Sequence, residues 1–104
     1  LGQMTVRVEL HGVRHDEAVY DKLHGFMETA GFSRTIRDAQ TGQVFWLPPA
    51  EYIIVVPHDD RRRVCTLAEQ AAAKTGRACS VLVTGSAYCT WSNLTEMKKK
   101  SSVF

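Results

Sequence analysis

The sequence predicts one α+β domain in which two amphipathic helices cover one side of an antiparallel sheet. An alternating stretch from Thr5 to Leu10 comes first, two apolar stripes at helical spacing follow at Val19 to Ala30 and Val64 to Ala72, and the most apolar run, Tyr52 to Val56, lies between them. The 104 residues and 44% hydrophobic content suffice for one core and hardly for two, so a single cooperative unit is expected.

The first strand places Val6, Val8 and Leu10 on one side and Thr5, Arg7 and Glu9 on the other, the pattern of a half-buried strand. His11 to Arg14 breaks it, and Asp16 and Glu17 put negative charge where a helix N-terminus favours it. Val19, Leu23, Phe26, Met27 and Ala30 then line one face of a helix that ends at Gly31. Phe32 to Ala39, with β-branched Thr35 and Ile36, predicts a short strand, and Gln40-Thr41-Gly42 the reversal after it. Val44 to Leu47 can begin the returning strand, but Pro48 and Pro49 cannot donate ladder hydrogen bonds and impose a bend. Tyr52 to Val56 is apolar at both parities, as a strand covered on both faces would be. Pro57 ends it, and His58 or Asp59 is placed to cap a second helix running to about Lys74, with Gly76 at the left-handed stop. Val64, Leu67, Ala68, Ala71 and Ala72 form the buried stripe of that helix, and a last strand is expected from about Ser80 to Thr84.

Strand, helix, strand, strand, helix, strand is the split βαβ pattern, a ferredoxin-like sandwich. Right-handed crossovers and a short hairpin order its four-stranded antiparallel sheet 4-1-3-2 with both helices on one face. Residues 4–85 make up this domain, and Met4 reads as the native start after Leu1, Gly2 and Gln3. Residues 86–104 are a C-terminal extension, partly packed through Tyr88, Trp91 and Leu94 and then disordered from Lys98 onward. Its packed part reads as a cover on the sheet, an added edge strand or a short capped helix.

Whichever parity of Tyr52 to Val56 meets the helices, the other presents aliphatic side chains on the open face, joined there by Leu82. Such a patch calls for cover, from the tail with its Trp91 or from a second subunit.

Composition narrows the function classes. A formal charge of +2 is too small to mark a nucleic-acid binder by bulk electrostatics, so any such role rests on local runs, Arg61 to Arg63 or Lys98 to Lys100, which more often mark a solvated surface. The three cysteines, Cys65, Cys79 and Cys89, contain no CxxC pair, so neither a metal site nor a disulfide framework is expected, and no cofactor is implied. No apolar run approaches the roughly 18 residues of a membrane span. The chain reads as cytoplasmic.

In Gly31-Phe32-Ser33, Asp38 through Gly42 and Ala50-Glu51-Tyr52-Ile53-Ile54 the chain resembles the GhoS family of small bacterial proteins, over roughly residues 4 to 92 by element order and spacing. That resemblance implies an antitoxin endoribonuclease of ferredoxin-like, Cas2-like fold, which binds or cleaves the messenger RNA of a small membrane toxin in a toxin–antitoxin pair. Metal-free cleavage needs a base for the 2′-hydroxyl, an acid for the leaving oxygen and a cation for the phosphate. His11 and His58 are the candidates for proton transfer, with Arg61, Arg62 and Arg63 as the phosphate cluster. A loop histidine is more often an ordinary surface residue. Cas2-like nucleases carry an aspartate at the end of the first strand, where this chain reads Glu9-Leu10-His11, a departure that weakens a metal-nuclease reading. Binding without cleavage needs only basic groups and aromatic faces: Arg7 and Arg37 by parity, with Tyr52 or Trp46 to stack.

Two functional readings follow. One is a small interaction domain that self-associates, or docks a protein partner, through the open sheet face. The alternative is a GhoS-like RNA-binding protein or endoribonuclease.

Overall fold

The computed structural model describes residues 2–15, 17–57, 60–85 and 91–97. Its elements are β1 (Gly2–Leu10), α1 (Ala18–Thr29), β2 (Thr35–Arg37), β3 (Val44–Trp46), β4 (Glu51–Val56), α2 (Arg61–Ala73) and β5 (Cys79–Gly85). β1 lies between β4 and β5 and is antiparallel to both, with Val6 opposite Tyr52 on one side and Val83 on the other. The first strand is longer than its alternation suggested, because Gly2 and Gln3 pair with Val56 and Val55.

Expected strands 4, 1 and 3 are therefore neighbours, as β5, β1 and β4. The expected continuous four-stranded sheet is not formed. β2 pairs with β3 as a separate two-stranded ribbon, Ile36 opposite Phe45, and the link to β4 is a single bridge in which Ser33 and Ile53 exchange backbone bonds of 2.7 and 2.8 Å. The cause lies in the returning chain. Glu51 N–H donates to Pro48 C=O at 3.2 Å, closing a turn with Ala50 at φ 67°, so the segment after the hairpin splits into β3, which stays with β2, and β4, which joins β1.

The alternation of β1 works as anticipated: Met4, Val6, Val8 and Leu10 are buried with Tyr52 and Ile54 of β4. Leu23 and Met27 of α1 and Val64, Ala68, Ala71 and Ala72 of α2 complete the same cluster, and the two helices touch each other, so both lie on one side of the sheet. Tyr20 joins them although it stood outside the expected stripe.

Helix ends follow local chemistry. α1 stops where Gly31 turns left-handed at φ 101°, with Phe32 N–H donating to Met27 C=O and Gly31 N–H to Glu28 C=O, both at 3.0 Å. α2 is capped by Asp60, whose Oδ1 accepts from Arg63 N–H at 3.1 Å. This corrects the expectation of His58 or Asp59 as cap: the helix begins at Arg61, and only the residue just before it can reach the amide three positions on. His58 and Asp59 lie outside the described residues.

The described part of the tail, residues 91–97, meets β3 through one isolated bridge, Phe45 with Glu96, and forms no strand of its own. Trp46 N–H donates to Thr95 C=O at 2.9 Å, Met97 N–H to Val44 C=O at 2.8 Å, and the Trp91 ring lies 5.6 Å from that of Phe45. Tyr88, Cys89 and Lys98 to Lys100 lie outside the described residues. Among those described, no helix is long and apolar enough to cross a membrane.

Candidate functional site

Because the even residues of β1 face the helices, its odd residues face away, and register places Ile53 and Val55 of β4 and Ser80, Leu82 and Thr84 of β5 with them. Ile53 is buried, but Val55 is 59% and Leu82 63% exposed. The described part of the tail, residues 91–97, does not cover these two: its contacts are with β3. Two large apolar side chains thus remain exposed on the side of the sheet that carries no helix, one opposite Gln3 and one opposite Arg7 of β1.

The charges on that surface largely offset one another. Arg7 is exposed beside Glu9, and its guanidinium comes within 4.0 Å of the Glu51 carboxylate on β4. Arg37 is exposed on the ribbon and donates to Gly42 C=O at 2.9 Å, bracing its own hairpin turn.

The candidate catalytic groups are spread along the molecule. His11 is exposed just past β1, and its Nε2 lies 2.7 Å from Ser80 Oγ. Arg61, Arg62 and Arg63 are exposed in the first turn of α2, which follows the end of β4 that pairs with Gly2. At about 3.3 Å per residue, the strand between these two ends is roughly 26 Å long, so His11 and the arginine run stand at opposite ends of the sheet. His58 lies outside the described residues. Glu9 is exposed on the open side, and among the described residues no three His, Cys, Asp or Glu side chains converge on a possible metal position.

Tyr52 is corrected from surface stacking residue to core residue. It is fully buried on the helix side, and its hydroxyl meets His24 Nδ1 at 2.7 Å. Burial pushes the Tyr52 hydroxyl well above the ordinary phenol range, and burial, followed by the nearby Arg34 guanidinium, holds His24 below its usual value. Both shifts favour the uncharged forms, in which a neutral imidazole with Nδ1 unprotonated accepts from the tyrosine hydroxyl. Beside it, the buried hydroxyl of Tyr20 accepts from Leu10 N–H at 2.8 Å, and Arg34 lies over the Trp46 ring at 5.2 Å. Tyr20, Leu23, His24 and Met27 stand at i, i+3, i+4 and i+7, a helical face that the sequence displays but that a purely apolar stripe overlooks. Both tyrosines are satisfied by these bonds, so the group ties α1 to β1 and β4.

Cys65 and Cys79 are half-buried, and burial, then Glu69 and Cys65, push the Cys79 thiol up, away from thiolate chemistry. A concavity of about 710 Å³ runs between the β2–β3 hairpin and the described tail, where Arg37, Gln43 and Glu96 meet. Gln43 Nε2 donates to Glu96 Oε2 there at 3.3 Å. No protein-family model, curated protein or solved structure matches the chain.

Proposed function

We propose that this chain is a small non-catalytic interaction domain of ferredoxin-like architecture, and that it self-associates on the side of the sheet that the helices leave uncovered. The observation that carries the reading is the exposure of Leu82 and Val55 on that side while the described residues of the tail pack elsewhere. The β5-β1-β4 order, the two helices on one side and the Ser33–Ile53 bridge at the position of the fourth strand support the architecture. The near balance of Arg7 against Glu9 and Glu51 favours an uncharged partner surface over a phosphate chain.

Sedimentation equilibrium tests this directly. The chain is expected to run above its 11.6 kDa monomer mass at high concentration, and Leu82→Glu to return it to monomer. A chain that stays monomeric at every accessible concentration overturns the reading.

The alternative is a GhoS-like role on messenger RNA. It is favoured by the Arg34 guanidinium over the Trp46 ring, a cation and an aromatic plane on the same ribbon that carries Arg37. Anisotropy with labelled single-stranded RNA, titrated with salt, tests it. Salt-sensitive binding that Arg34→Ala and Arg37→Ala weaken supports this role, and its absence removes it.

A further inference from the structure

The edges of the two sheets are treated unequally. Beyond β4 the ribbon begins at Ser33, and the far edge of β3 is closed by Thr95 and Met97. On the opposite side, no strand lies against the outer edge of β5 among the described residues. Edge strands are ordinarily guarded by lysine, proline, a bulge or sheer shortness. β5 has none of these guards: it is seven residues long, uncharged, and paired with β1 without interruption.

The direction of its backbone groups follows from the ladder. Val8 N–H donates toward the β4 side, to Ala50 C=O at 2.9 Å, and His11 N–H toward the β5 side, to Ala78 C=O at 2.8 Å. Backbone groups alternate along a strand, so the odd residues of β1 bond to β5, and their partners Ser80, Leu82 and Thr84 direct N–H and C=O inward. Cys79, Val81, Val83 and Gly85 therefore aim theirs outward.

We infer that this edge pairs with the same edge of a second copy, antiparallel about a two-fold axis through Leu82, so that two three-stranded sheets become one. The inference rests on the self-association reading and specifies its geometry as extension of the sheet rather than stacking of faces. The register matches itself. Val81 faces Val83 of the partner subunit and exchanges backbone bonds with it. Ser80 faces the partner's Thr84, and Leu82 the partner's Leu82, at non-hydrogen-bonded sites where Cα atoms approach to about 4.5 Å and side chains meet most closely. The most exposed large apolar side chain among the described residues is the one this axis brings against its own copy.

Charge agrees with the same axis. Beside Val83 on the helix side is an open concavity of about 350 Å³, lined by Arg61, Arg62, Cys65, Thr66 and Glu69. A two-fold perpendicular to the sheet keeps both α2 helices on one side, running in opposite directions. Arg62 of each copy then approaches Glu69 of the partner subunit.

The experiment separates extension from stacking. In amide hydrogen exchange on the full chain, Val81 and Val83 are expected to gain protection as concentration rises and the chain associates. Val83→Pro removes an outward N–H that the single sheet does not use, so it is expected to fold and to weaken association by about tenfold or more. Val55→Glu, two strands away on the open face, probes stacking: sheet extension predicts that it weakens association less than Val83→Pro does. If the chain associates while Val81 and Val83 exchange freely, or if Val55→Glu dissociates it and Val83→Pro does not, edge pairing is overturned and stacking stands. A chain monomeric throughout overturns both readings. Should Val83→Pro fail to fold, the wild-type exchange pattern decides alone.

Discussion

Tyr20 sits where a backbone donor would otherwise be stranded. Leu10 N–H points to the β4 side, but β4 starts at Glu51 opposite Arg7, so no ladder acceptor reaches that far, and the Tyr20 hydroxyl accepts instead. Tyr20→Phe keeps the ring and removes the acceptor, so a loss of about 1–3 kcal/mol is expected in urea unfolding. The neighbouring His24 makes stability depend on pH. Its folded value lies below the ordinary 6.5, through burial and Arg34, and Asp21 and Glu28 offset this only in part. A depressed value means the unfolded chain takes up the proton first, so the stabilisation is complete above about pH 6.5 and declines as pH falls through the folded value. The urea midpoint should therefore drop between pH 7.5 and pH 5.5, and His24→Gln, which keeps an acceptor for Tyr52, should flatten the drop. An unchanged slope in that variant would remove His24 from the account. The helical spacing of Tyr20 and His24 was readable in the sequence. Their partners were not, because Leu10 N–H and the Tyr52 hydroxyl become neighbours only once α1 lies across the sheet.

Helices were the most legible elements, since each announces itself through a stripe and a stop. Gly31 illustrates the stop: at φ 101° it closes α1, and a Cβ added there would meet Ile54 Cδ1 at 3.9 Å, an ordinary contact. The penalty of Gly31→Ala is therefore one of backbone conformation, about 1–2 kcal/mol, to be read from thermal or urea unfolding. A loss of 4 kcal/mol or more would point instead to disrupted packing. The cap of α2 was less legible, because His58, Asp59 and Asp60 are consecutive and what selects among them is where the chain resumes helical geometry after Pro57. Strand pairing was legible for β1, β4 and β5 from element order, but the buried face was legible only for β1, because Tyr52 to Val56 is apolar at both parities. The separation of β2 and β3 into a ribbon was not, although Pro48 and Pro49 were visible as a bend. Whether a returning strand survives such a bend depends on the long-range competition between β2 and β1 for its partners.

At the scale of the molecule, the chain leaves the sheet at one edge, after β5, and returns to pair beyond the opposite one, on β3. A sequence displays the aromatic and the spare residues of such a tail but not the edge it will choose, so Trp91 was legible as a packing residue and its address was not. The described tail is held by its two backbone bonds to β3, the Trp91 ring against Phe45, and the Gln43–Glu96 contact. None of these residues belongs to the cluster that unites β1, β4, α1 and α2. The tail should therefore open locally, without unfolding the domain. Trp91→Ala is expected to speed hydrogen exchange at the Trp46 amide, which donates to Thr95, while the amide of Val8, inside the main sheet, keeps its protection. Global stability should change by less than about 1 kcal/mol, the range of peripheral substitutions, against the 3–5 kcal/mol typical of truncating a buried aromatic in a core. A global loss in that upper range, with Val8 and Trp46 exposed together, would mean that the tail and the helix-covered core unfold as one unit.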